Sequence, residues 1–158
     1  MQTDAVVQPR KPIIGVEIEN LEADIIYLLP TTHTGDGKRA YMGAEALLLK
    51  QAKASGVPIE YAVPEKDREF VEHFSAGIEV VTLAVAIVNL IPSTIQGIYA
   101  LIQLAAIRKG IKEDSVKTAE VHLKIDFIKT PTTEARGVEI SGNPDGVVAI
   151  MESLSAES

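Results

Sequence analysis

The residues best suited to chemistry sit in one loop, "TTHTGDGK" (31–38). It follows an apolar run and precedes a segment with helical spacing. Its amides would then face a helix N-terminus, where unpaired N–H groups and the helix dipole favour an anion. Thr34, Gly35, Gly37 and Lys38 are the candidate anion-binding residues, with Lys38 supplying the charge. The loop is not a P-loop, because no Ser or Thr follows Lys38 and the glycine spacing differs, nor is it a dinucleotide fingerprint. The plainer alternative is a turn in which Asp36 caps the next helix and His33 is solvated. His73 and His122 share no ligand spacing with it, so no metal site is expected. The acids Glu17/Glu19, Glu65/Asp67/Glu69/Glu72 and Glu113/Asp114 read as solvated faces rather than confined acid–base pairs. Ser93, Ser141 and Ser153 have no nucleophile-elbow context. No catalytic residue and no cofactor site is expected, and the chain reads as a non-enzyme.

Residues 1–12 read as a flexible arm, 13–154 as one domain and 155–158 as a tail. "IIGVEIE" (13–19) alternates like a half-buried edge strand. "ADIIYLLP" (23–30) has the continuous apolar character of a strand covered on both faces. Residues 38–55 have helical spacing with Tyr41, Ala44 and Leu48 on one stripe, stopped by Gly56 at C′. "VPIEYAVP" (57–64) is the next strand, and Pro64 opens a helix that carries Phe70, Phe74 and Ile78 on one side. Near the end, "AEVHLKIDF" (119–127) alternates, with Val121, Leu123, Ile125 and Phe127 inward and Glu120, His122, Lys124 and Asp126 outward. A short strand (136–142) follows. The last helix (143–154) takes Asn143 as N-cap and Pro144 at N1, with Val147, Ile150, Met151 and Leu154 as its core stripe.

Between Val80 and Ile107 there is no charged residue. A membrane-spanning helix needs roughly 20 apolar residues in one rod, but Pro92 interrupts this run. Ser93 and Gln96 after it could form a capping box, so the run reads as two short helices, 78–91 and 94–109. The expected architecture is α+β: a four- or five-stranded sheet carrying a central apolar helical hairpin and further helices. Both sides of that hairpin are apolar. Val81, Val85 and Val88, with Ile95, Ile98 and Ile102, are therefore the expected self-association or partner interface.

The composition narrows the partners. Hydrophobic residues make up 46% of the 158 residues, aromatics only 4%, and the formal charge is −7, which disfavours nucleic acid and anionic lipid. There is no cysteine, and the polar start "MQTDAVVQPRKP" lacks a signal-peptide core, so a cytoplasmic location is expected.

The stretch "GIEVVTLAVAIVNLIPSTIQGIYALIQLAAIRKG", then "AEVHLKIDF", then "SGNPDGVVAIMESL" resembles the effector-associated constant component family of bacterial conflict systems. The resemblance covers residues 24–154. This chain departs from that pattern in having no Trp late in the apolar helical pair and in its extra segments 13–19 and 31–38. The resemblance implies a non-enzymatic adaptor that couples an effector to a sensor protein, and it implies no catalytic residues. The function expected from sequence is therefore protein–protein interaction, with a homo-oligomer as its form. The alternatives are a sensor of a phosphorylated small molecule through loop 31–38 and a membrane-acting protein through 76–108.

Overall fold

The computed structural model describes residues 5–9, 21–71, 80–130 and 134–156. Within them are β1 (Val6–Pro9), β2 (Ile26–Leu28), β3 (Thr32–His33), β4 (Arg39–Met42), α1 (Gly43–Ala54), β5 (Ile59–Tyr61), β6 (Phe70–Val71), β7 (Val80–Ile87), α2 (Pro92–Arg108), β8 (Glu120–Lys129), β9 (Glu134–Gly142) and α3 (Pro144–Ala156). Single 3-10 segments occupy Glu65–Asp67 and Glu113–Thr118. Six strands form one sheet in the order β1-β9-β8-β7-β2-β5, and β3-β4-β6 form a smaller one.

The α+β class holds, but the main sheet has six described strands rather than four or five, and the helical hairpin is corrected. Its first half, "VVTLAVAI", is strand β7. Five of these eight residues are β-branched, which favours the pleated backbone over the helix. Alternation then places Val81, Leu83, Val85 and Ile87 on one face and Ala84 and Ala86 on the other. The second half is helix α2, which starts two residues earlier than expected, with Pro92 at N1. Its cap is not the Ser93–Gln96 box: the Thr94 hydroxyl accepts the Ile91 N–H at 3.0 Å and is itself buried. No helix among the described residues is long and apolar enough to cross a membrane.

Two strand–helix–strand units make up the centre. Strands β2 and β5 are parallel across α1, and β7 and β8 are parallel across α2, while β2 meets β7 antiparallel. All three helices bury their apolar stripes on the face that carries Val81, Leu83, Val85, Ile87, Val121, Leu123, Ile125 and Ile140. Gly97 lets α2 approach β2: a Cβ there would lie 2.7 Å from Ile26 Cδ1. The opposite face holds a smaller cluster of Tyr27, Leu29, Ala84, Ala86 and Phe127.

Phe127 belongs to that second face, contrary to the alternation expected for 119–127. The register of β7 against β8 slips between Val85 and Ala86, passing from Ile125 directly to Phe127. Asp126 is the extra residue, a bulge that turns Phe127 to the far face and gives its inward place to Ile128. Opposite the bulge Gly137 takes a φ of 69°, a left-handed conformation that glycine adopts at no steric cost. Asp126, expected to point to solvent, is buried.

Other boundaries shift. Part of the expected arm is β1, paired antiparallel with β9. The helix expected from residue 38 begins at Gly43, because Arg39–Met42 pair with both β3 and β6. The helix expected from Pro64 is one 3-10 turn followed by the two-residue β6, and its later residues lie outside the described ones, as does segment 13–19. The Asn143 cap is found as expected, its side chain accepting the Gly146 N–H at 2.7 Å.

Candidate functional site

In an open α/β unit ligands bind beyond the carboxyl ends of the parallel strands. Here the ends of β2 and β5 meet the small sheet and the first turn of α1. Tyr41 on β4 ties the parts together. Its hydroxyl donates to the Leu28 carbonyl at 2.5 Å and accepts the Val63 N–H at 3.4 Å. Burial pushes this phenol up to about 12. Its ring meets Tyr61 edge-on at 4.8 Å and Phe70 at 5.9 Å. Tyr41→Phe removes the hydroxyl donor, while the Leu28 carbonyl keeps the Ala62 N–H at 2.9 Å. The change is expected to cost about 1 kcal/mol in urea unfolding with the same fold.

Beside this aromatic group lies Arg68. Its Nε donates to the Val63 carbonyl at 2.7 Å, and its guanidinium sits 4.2 Å from the centre of the Tyr61 ring. Glu45, in the first turn of α1, is only 7% exposed. One carboxylate oxygen accepts the Met42 N–H at 2.8 Å and the other accepts the Thr31 hydroxyl at 3.0 Å. These bonds favour the ionised form, but burial outweighs them and pushes the carboxyl up to about 7. Glu45 was missed in the sequence because the helix start was set at residue 38. With the start at Gly43, Glu45 falls at N3, where an acid reaches back to the cap amide.

The residues expected to bind an anion lie in a hairpin turn joining β3 to β4, not at a helix N-terminus. The Thr34 N–H donates to the Lys38 carbonyl at 2.8 Å and the Gly37 N–H to the Thr34 carbonyl at 3.0 Å. The Lys38 N–H donates to the Thr34 hydroxyl at 3.1 Å. Three amides are thus taken up inside the turn, leaving Gly35 as the remaining candidate donor. Asp36 does not cap a helix. It accepts a hydrogen bond from the Thr34 hydroxyl, which holds its carboxyl below the usual range. Lys38 lies 4.0 Å from Glu69.

The residues expected at an interface are mostly interior. Val81, Val85, Ile95, Ile98 and Ile102 are buried between the sheet and α2, and Val88 packs half-buried on the second cluster. The reason is the strand–helix geometry: a strand puts Val81 and Val85 on the same face as Leu83, where one helix covers them all. His122 stands between Glu120 (3.3 Å) and Glu139 (3.6 Å), and the Ser141 hydroxyl donates toward Glu139 at 3.5 Å rather than to the imidazole. Among the described residues no three acids and histidines gather closely enough to hold a metal ion.

A groove of about 430 Å³ lies between α2 and α3, lined by Pro92, Ile95, Gln96, Tyr99, Asp145, Val148, Glu152 and Ser155. Its floor is apolar. Asp145 and Glu152 are exposed, and none of the ion pairs among the described residues includes either carboxylate. No family model, curated protein or solved structure matches this chain.

Proposed function

We propose that the chain is a non-enzymatic protein-interaction module, an adaptor that holds a basic, partly apolar segment of a partner protein. The groove between α2 and α3 is the observation that carries this reading. It joins an apolar floor to two uncompensated carboxylates, a combination that suits an amphipathic helix bearing lysine or arginine. The chain's net charge of −7 steers such a segment toward the surface. A place in a bacterial signalling or defence system, between an effector and a sensor, rests on the sequence resemblance to the effector-associated components.

The test is a fluorescence titration with two labelled synthetic amphipathic peptides, one carrying lysines and one with glutamates in their place. The lysine peptide should bind, and added salt should weaken it. The Asp145→Lys, Glu152→Lys double variant should weaken it about tenfold, close to 1.4 kcal/mol. Binding of both peptides alike, or binding that the double variant leaves unchanged, would refute the groove as the partner site.

A further inference from the structure

We propose that Arg68 and Phe70, at the carboxyl ends of β2 and β5, form a site for a small flat anion: an aromatic or heteroaromatic ring bearing a phosphate or carboxylate. The site is separate from the α2–α3 groove and does not depend on it.

The guanidinium of Arg68 is fixed before any ligand arrives. Its Nε is held by the Val63 carbonyl and its central carbon lies over the Tyr61 ring, 4.2 Å from the ring centre. Val63 is held in turn, because its N–H donates to the Tyr41 hydroxyl. The backbone of Arg68 closes the 3-10 turn onto the Glu65 carbonyl at 3.3 Å. Arg68 enters no ion pair among the described residues. With Nε and the ring face engaged, its two terminal amino groups remain, a fork whose geometry matches two oxygens of a carboxylate or phosphate. Ordering a free arginine costs rotamer entropy on binding, and here the fold has already met much of that cost.

The flat part of the ligand is argued from Phe70. Its ring is 49% exposed, and it stands edge-on to Tyr61 at 5.9 Å. It also meets Tyr41 at 5.9 Å, and the exposed part that remains is open to an offset or edge contact with a second ring. Arg39 extends the cationic character. It precedes Tyr41 by two positions on β4, and Tyr41 is the register partner of Phe70, so Arg39 and Phe70 share a face of the small sheet. Arg39 is exposed and outside the described ion pairs. Of the nearby acids, Glu60 pairs with Lys53 at 2.9 Å, Glu69 with Lys38, and Glu45 with Met42 and Thr31, while Glu65 and Asp67 of the adjoining 3-10 turn are exposed and enter no ion pair among the described residues.

The experiment is a chemical-shift titration of the isotope-labelled protein with adenosine monophosphate, benzoate, adenosine and inorganic phosphate, each to about 5 mM, a range that reads affinities near −4 kcal/mol. Shifts at the Arg68 side-chain Nε–H and the Phe70 ring with adenosine monophosphate or benzoate are the expected result. A response to the nucleotide alone identifies a phosphate ligand, and a response to both identifies the shared chemistry. Arg68→Lys keeps the charge but loses the fork, and Phe70→Ala removes a largely exposed ring. Each should weaken the response at least fivefold in a protein that remains folded by its amide spectrum. Three outcomes overturn the proposal: no shift with either anion, shifts that persist in both variants, or equal binding of phosphate or adenosine alone.

Discussion

Leu123→Asp is expected to destabilise the protein severely. Leu123 is fully buried in β8, paired with Leu83 on one side and Ile140 on the other, beneath the helix layer. Aspartate there loses the apolar side chain and places a carboxyl among aliphatic neighbours with no cation beside it. The two penalties together exceed about 4 kcal/mol, a large part of the 5–15 kcal/mol that holds a typical domain together. The neighbouring Lys124 points to the other face and is half exposed, so Lys124→Ala shifts stability by about 0.5 kcal/mol or less. Urea unfolding followed by circular dichroism separates the two. Similar midpoints for both variants would contradict the facing of β8.

Stability is also expected to fall as pH rises through neutrality, because burial raises the Glu45 carboxyl. Its carboxyl titrates near 4.5 when unfolded and at about 7 in the folded chain. The folded state therefore holds the proton over the interval in which the unfolded state has released it. The contribution is present in full below about pH 4.5 and is lost as pH climbs past 7, an effect on the order of 3 kcal/mol. Glu45→Gln keeps an acceptor for the Met42 N–H and offers its amide to the Thr31 hydroxyl, without a charge to bury. The variant should match the parent near pH 4.5 and exceed it at pH 8, so the difference between their unfolding free energies grows with pH. Parallel pH profiles would show that Glu45 carries no such linkage.

Much of the fold was legible wherever one periodicity dominated. Val121, Leu123 and Ile125 alternate against polar neighbours and do face the core. Asn143–Pro144 announces α3 with a cap and a first turn. Residues 80–87 were not legible in this way. Val81 and Val85 stand four apart, as on a helix, yet Val81, Leu83, Val85 and Ile87 also stand two apart, and an uncharged run satisfies both patterns. The content of β-branched residues was the signal that separates them. Phe127 was misplaced because a bulge leaves no mark in the pattern of apolar residues. The candidate sites were the least visible. Tyr61, Phe70, Tyr41 and Glu45 come from four different elements and Arg68 from the link before β6, and the groove joins α2 to α3. Only the packing of the sheet brings these residues together, and no local spacing encodes it.

The pairing of β1 with β9 sets an order of events for a chain growing from its N-terminus. Val6 pairs across to the strand that holds Ser141, so β1 must wait until β9 has been made before it can dock there. Closing a loop that spans almost the whole chain is entropically the most demanding step and follows the local units β2–α1–β5 and β7–α2–β8. Until then the outer edge of β9 presents unpaired backbone groups, and a strand from another chain can occupy it. Crowding many copies during synthesis thus exposes this protein to strand exchange at one defined edge, while the helix-covered centre is already closed.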